Sequence, residues 1–208
     1  MKIIGIVAVC LVCALFLATG VKAQEEKDLL FDDFEGMITG GADGTVDFGS
    51  GSGSAVRVSA SRDIKNTGDQ ALKVEYEAVP GGYMWIARGY GLDVKGAACW
   101  LATPEEINWK DYTAISFYMY GQDSKGNIAF DIKDNGNEMW RFMVEDNFTG
   151  WKQVVCPFEQ FFSRSDWQPN TADKNDALDF PVKSFQFEPL PESQGVLYFD
   201  TVELIQAK

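Results

Sequence analysis

Histidine is absent from all 208 residues. That excludes Ser-His-Asp and Cys-His nucleophilic catalysis as well as histidine-rich zinc sites, because each needs an imidazole as base or ligand. No Gly-x-x-x-x-Gly-Lys-Ser/Thr run occurs, so the chain lacks a phosphate-cradling loop of that kind. Basic side chains are few, 18 Lys and Arg against 31 Asp and Glu, for a net charge of −13. A surface of that sign repels polyanions, so no nucleic-acid partner is expected and neutral ligands and cations remain. Internal repeats are missing, and helical periodicity is scarce.

One long apolar run is present, at the very start. Met1-Lys2 precedes an apolar stretch from Ile3 to Ala18, small residues stand at Val21 and Ala23, and polar Gln24-Glu25-Glu26-Lys27 follow. This is the order of a secretory signal peptide, residues 1–23, cut after Ala23. A retained anchor is the alternative, but the stretch falls short of the roughly 20 residues of a bilayer span and is followed by acids rather than bases. Export to the periplasm or medium is expected, with no stable membrane insertion after cleavage. Losing Lys2 and Lys22 leaves 16 basic against 31 acidic residues, a net charge of −15. Residues 24–208 fit one domain. Of the four cysteines, Cys10 and Cys13 leave with the leader. Cys99 and Cys156 remain, either as a disulfide, which export permits, or as two free thiols.

From Leu29 onward, short β-rich or alternating runs are separated by Gly, Asn, Asp and Pro, which predicts an all-β fold of about ten strands. The runs are Leu29 to Phe34, Ala55 to Ser61, Ala71 to Glu77, Tyr83 to Arg88, Tyr112 to Tyr120, Asn127 to Lys133, Met139 to Glu145, Trp151 to Cys156, Val182 to Glu188 and Val196 to Leu204. Helix is limited to short turns at Pro104 to Trp109 and Glu159 to Phe162. The Gly/Ser-rich segment Gly40 to Ser54 reads as a long loop, since one strand before it is too little for a separate domain.

Period-two alternation sorts each strand into faces. Ile115, Phe117 and Met119 point one way, as do Ile128, Phe130 and Ile132, Trp140, Phe142 and Val144, and Phe185 and Phe187; these form the core. The opposite phase places Tyr118, Asp131, Arg141, Gln186 and Glu188 on one open face. Sugars need such a combination, because their C–H patches lie flat on aromatic rings while their hydroxyls take planar donors and acceptors. A merely solvated sheet face would read the same way.

Three segments carry a more specific likeness. Leu30-Phe31-Asp32-Asp33-Phe34-Glu35-Gly36, Gly150-Trp151-Lys152-Gln153-Val154-Val155-Cys156-Pro157-Phe158 with Phe162-Ser163-Arg164-Ser165-Asp166-Trp167-Gln168-Pro169, and Tyr198-Phe199-Asp200-Thr201-Val202-Glu203-Leu204 resemble the family 11 carbohydrate-binding modules. More distantly they resemble the complex I intermediate-associated protein 30 family. The resemblance implies a two-sheet β-sandwich of jelly-roll, galactose-binding-like type. It also implies binding of β-1,4 and mixed-linked β-1,3-1,4 glucans in a cleft, on tyrosine platforms beside Arg and Asp. By position, Tyr83 matches a cleft tyrosine, Arg164 the cleft arginine with Asp166 beside it, and Trp167 a tyrosine; Ser184 and Gln186 fall at cleft positions. Pro189 replaces another cleft tyrosine, Lys183 replaces an acid, and the segment Arg88 to Trp109 is longer than its counterpart by an insertion whose Tyr90, Trp100 and Trp109 would reshape or cover the cleft.

A structural Ca²⁺ is implied as well, on Glu35, Asp200 and backbone carbonyls from Thr67 to Gln70, with Asp33 as an extra ligand. The expected function is non-catalytic binding of a polysaccharide or oligosaccharide. Two other readings stand beside it: a protein-holding assembly domain with an apolar patch near the insertion, and a weak glycosidase using Glu138 with Glu188 or Asp131 with Glu188.

Overall fold

A computed structural model describes residues 27–207, so the leader assigned to residues 1–23 lies outside the described residues. In chain order the strands are β1 (Leu29–Asp32), β2 (Asp47–Gly51), β3 (Ala55–Ser61), β4 (Ala71–Ala78), β5 (Tyr83–Gly89), β6 (Tyr112–Gln122), β7 (Asn127–Lys133), β8 (Met139–Glu145), β9 (Thr149–Pro157), β10 (Phe162–Ser163), β11 (Ser184–Pro189) and β12 (Ser193–Gln206). Among the described residues helix is confined to three-residue 3-10 turns at Lys95–Ala97, Pro104–Glu106, Trp109–Asp111 and Phe158–Gln160. Two strands depart from expectation. β2 lies inside the predicted loop Gly40 to Ser54, and β10 lies where a turn was expected to end.

The strands form two six-stranded antiparallel sheets, β3-β4-β12-β6-β9 with β1 also on β12, and β10-β8-β7-β11-β5-β2. β12 is the spine of the first sheet. Its leading half pairs with β4 and its trailing half with β1. At the handover the register shifts between Asp200 and Glu203, and Thr201 takes a left-handed backbone (φ 48°) that β-branched residues avoid.

The inward phase of both sheets meets in one core. Phe187 of β11 stacks on Phe199 of β12 at 3.8 Å, and Phe117 of β6 touches Phe130 of β7 at 4.6 Å, so aromatic contacts bridge the sheets. At about 25 cal/mol per Å² of apolar surface, burial of this core is the main favourable contribution to folding. Cys156 is buried in this core, and Cys99 and Cys156 are both free thiols.

The Arg88 to Trp109 insertion packs into the sandwich rather than over a face. Trp100 is buried edge-on to Phe31 (4.8 Å) and stacked on Phe185 (5.9 Å), with Tyr90 against it at 5.7 Å. Trp109 is buried, and its indole N–H donates to the Pro104 carbonyl. A cover over the cleft, one of the two expectations for this segment, is therefore not what its aromatics form. Beside them Arg88 points inward, in ion contact with buried Asp32 at 2.8 Å and over the Phe34 ring at 4.8 Å. The contact is off the hydrogen-bond axis, and the Arg88 Nη1 and Trp100 Nε1 have no acceptor among the described residues. Burial outweighs Arg88 here and pushes the Asp32 carboxyl up to about 6.

Candidate functional site

The second sheet presents its outward phase on one face. Gln186 of β11 lies opposite Ala87 of β5 and Asp131 of β7, Asp131 opposite Arg141 of β8, and Arg141 opposite Phe162 of β10. Ser184, Gln186 and Glu188 alternate with the core residues Phe185 and Phe187, so all three face outward with Asp131 and Arg141.

At the centre of this face lies an ion network. Arg141 grips Asp131 in a fork, Nε to Oδ1 at 2.8 Å and Nη2 to Oδ2 at 2.9 Å, and its Nη2 also donates to Glu188. Arg164, following β10, donates from Nη1 to Asp131 at 2.8 Å, contacts Glu188 at 3.2 Å, and forks onto Asp166 at 3.1 and 2.7 Å. Gln186 adds its amide to Asp131 at 3.3 Å. Asp131, Glu188 and both arginines are buried, whereas Asp166 is exposed. Bidentate guanidinium–carboxylate pairing of this kind fixes orientation as well as energy.

Burial opposes the charge on Arg141, but hydrogen bonding to Asp131 and the fields of Asp131, Glu188 and Asp166 hold its pKa above the ordinary value. Burial raises the Glu188 pKa against the pull of Arg164 and Arg141, and the hydrogen bonds from Arg164 lower that of Asp166. Three carboxylates face two guanidiniums, so the network carries no surplus positive charge for an anionic ligand.

Aromatic rings flank the network on both sides. On β5, Tyr83 and Trp85 share the outward phase and lie nearly parallel, 6.3 Å apart with 14° between planes. They lie flat over β2 because the residues beneath are glycines. A Cβ on Gly49 would come within 2.5 Å of the Trp85 ring, and one on Gly51 within 2.3 Å of the Tyr83 ring. The Trp85 indole N–H donates to Asp47 at 2.9 Å, which fixes the ring. Tyr83 is 54% exposed. Across the network, Arg164 sits 5.7 Å from the centre of the Trp167 ring, itself 54% exposed. Three strand spacings separate β5 from β8, about 14 Å.

Nine of the ten predicted ligand residues therefore gather here: Tyr83, Asp131, Arg141, Arg164, Asp166, Trp167, Ser184, Gln186 and Glu188. Tyr118 does not. It lies on β6 in the other sheet, opposite Asp200 and Gln153. Strand phase reports which residues share a face of one strand, but not which sheet that strand joins. Trp85 and the glycines Gly49 and Gly51 were missed, although Trp85 was legible two residues along from Tyr83. Pro189 is buried, and Lys183 donates to the Asn135 carbonyl and to Asn137.

The predicted calcium ligands lie around the 66–70 loop. Asp200 Oδ2 accepts the N–H groups of Asn66 and Thr67, and Glu35 accepts those of Asp69 and Gln70. Asp33 turns back to accept the Glu35 N–H. In kind, Glu35, Asp200 and the loop carbonyls are hard oxygen donors suited to calcium. As placed, however, the carboxylates are occupied by N–H groups, and no group of three or more His, Cys, Asp or Glu among the described residues is arranged to hold a metal ion. Burial raises the Asp200 pKa against the hydrogen bonds from Thr67 and Asn66.

A two-sheet sandwich whose outer face carries flat, exposed rings beside anchored planar polar groups has the features of a carbohydrate-binding module. The family model described as carbohydrate binding domain (family 11) matches residues 19–207, and the chain belongs to that family. Endoglucanase H of Acetivibrio thermocellus is 27% identical over 186 residues, which cover 86% of this chain and 18% of that protein. The chain thus spans under a fifth of the curated relative it matches. A family 11 carbohydrate-binding module from Clostridium thermocellum, solved in complex with a β-1,3-1,4-mixed-linked tetrasaccharide, has a TM-score of 0.66 at 24% identity, covering 86% of this chain and 96% of that one. The family 11 module of the cellulosomal cellulase Lic26A-Cel5E of Clostridium thermocellum has a TM-score of 0.63 at 21% identity over 87% and 95%. These likenesses agree with the all-β sandwich. No helix among the described residues is long and apolar enough to cross a membrane.

Proposed function

We propose that the chain is an exported, non-catalytic module that binds a neutral β-glucan across the outer face of the second sheet. The observation that carries this reading is the flat Tyr83–Trp85 pair on glycine backbone, sharing a face with the Arg141–Asp131–Arg164 network and Trp167. Pyranose C–H faces stack on the rings, and sugar hydroxyls take the spare hydrogen-bonding capacity of Asp166, Gln186 and Ser184. Asp131 and Glu188, a candidate glycosidase pair, are both held by the same two arginines, which supports binding over bond cleavage. The mixed-linked tetrasaccharide of the Clostridium thermocellum module indicates the ligand class to try first. Affinity electrophoresis on mixed-linked and β-1,4 glucans tests it. The parent is retarded, and Tyr83→Ala and Trp167→Ala each weaken retardation; a parent that runs unretarded on every glucan refutes the reading.

Export by removal of residues 1–23 belongs to the same proposal, and N-terminal sequencing of the secreted product reads Gln24 first. So does calcium at Glu35 and Asp200: the thermal midpoint rises in calcium and falls in chelator, and a midpoint indifferent to both removes the metal. A second reading, as a protein-holding domain, draws on an apolar hollow near the insertion. Trp109, Tyr112, Val155, Phe158, Phe180 and Ile205 line it, with Val155 44% and Phe180 40% exposed.

A further inference from the structure

A hollow lies at the end of the sandwich where β5 and β7 begin and β11 ends. Pro80, Lys125, Asn127, Leu190, Pro191 and Glu192 line it. Its position follows from strand phase. Asn127 opens β7 in phase with Ala129 and Asp131, and Leu190 follows β11 in phase with Glu188, its N–H donating to the Asn127 carbonyl at 2.9 Å. Tyr83 opens β5 two residues after Gly81, which with Pro80 forms the turn on the hollow's rim. The rings of β5 therefore lead from the ion network toward this end.

The three loops around the hollow are held in conformations that side-chain-bearing residues rarely adopt. Lys125 (φ 64°) and Glu192 (φ 68°) are left-handed, as is Gly81 (φ 71°). Backbone bonds hold them there, from Lys125 N–H to the Asp146 carbonyl at 2.9 Å and from Glu192 N–H to the Ala78 carbonyl at 2.7 Å. Non-glycine residues kept in sparsely populated conformations cluster at ligand sites, where the shape is formed in advance.

We propose that this hollow is an additional sugar subsite, taking a glucan unit that extends past the ring stacked on Tyr83. The inference rests on the glycan reading of the sheet face. Pro80, Leu190 and Pro191 offer apolar surface to a pyranose C–H face, while the Asn127 amide and Glu192 carboxylate offer partners for hydroxyls. Lys125 is already matched by Asp123 at 2.6 Å, so among the described residues lining the hollow no cation is left free to select an acidic sugar.

Calorimetry on the full chain with mixed-linked gluco-trisaccharide and hexasaccharide tests the subsite. In the parent the longer ligand binds about tenfold more tightly, equivalent to about 1.4 kcal/mol. Asn127→Ala and Glu192→Gly lose that gain and keep the trisaccharide affinity. Glu192→Gly also relieves the left-handed backbone, so its loss of binding is not a loss of folding. A length gain that persists in both variants, or is missing from the parent, overturns the subsite and leaves the sheet-face site standing. A parent that binds neither oligosaccharide overturns both.

Discussion

Replacing Asp131 by asparagine removes the hub of the ion network while keeping its shape. Oδ2 alone accepts from Arg141 Nη2 at 2.9 Å, Arg164 Nη1 at 2.8 Å and Gln186 Nε2 at 3.3 Å, and Oδ1 accepts from Arg141 Nε at 2.8 Å. Either orientation of the amide turns an NH₂ group onto at least one guanidinium N–H, leaving donors face to face at a position that is fully buried. Charged hydrogen bonds contribute about 1.5–3 kcal/mol each, and breaking a buried pair costs about 3–5 kcal/mol. That is a large share of a total stability of roughly 5–15 kcal/mol. It corresponds to a fall of about 6–20 °C in Tm for a domain of this size. Urea unfolding is the assay, with the midpoint falling and the slope unchanged. Asp166→Asn is the control, because its exposed carboxylate is worth about 1 kcal/mol or less. A loss under about 1 kcal/mol in Asp131→Asn would show that the network is not the structural centre of the face.

Gly49→Ala places a methyl where the Trp85 ring lies, 2.5 Å away, with no backbone conflict. The ring swings off β2, and glucan affinity in calorimetry drops about two- to twelvefold, from the ~0.5–1.5 kcal/mol of an aromatic contact; unchanged affinity would detach Trp85 from the site. For pH, the folded protein holds the Asp32 proton up to about 6 while the unfolded chain releases it near 3.8, as an ordinary aspartate does. Between these values the native state binds more protons, so stability falls as pH rises, by up to ~3 kcal/mol from this group. Comparing urea midpoints of the parent and Asp32→Asn at pH 4 and pH 7 isolates that slope, and parallel profiles for the two would refute it.

Much of the architecture is legible from alternation alone. Ile128, Phe130 and Ile132 are buried beside outward Asp131, and Phe185 and Phe187 flank outward Gln186, because a pleated strand leaves no third choice of face. β2 escapes such a reading. Gly49, Ser50 and Gly51 have poor strand propensity, and their reason for being there is two rings on the next strand, a contact no local window contains. Tyr118 shows the complementary limit, since its phase is right but its sheet is set by the pairing of β6 with β12 and β9. Arg164, Asp166 and Trp167 stand outside any long strand, and it is the family likeness that marks them.

The six tryptophans offer a direct test of where the glycan lies. Trp85 and Trp167 flank the network on the outer face of the second sheet, Trp100, Trp109 and Trp140 are buried, and Trp151 sits on the opposite sheet beside Tyr120. In a titration with mixed-linked β-glucan tetrasaccharide followed by the ¹⁵N-indole resonances, the Trp85 and Trp167 signals move together with saturation while the other four hold still. Movement of Trp151 with Trp85 and Trp167 unmoved would place the ligand on the other sheet and contradict the account.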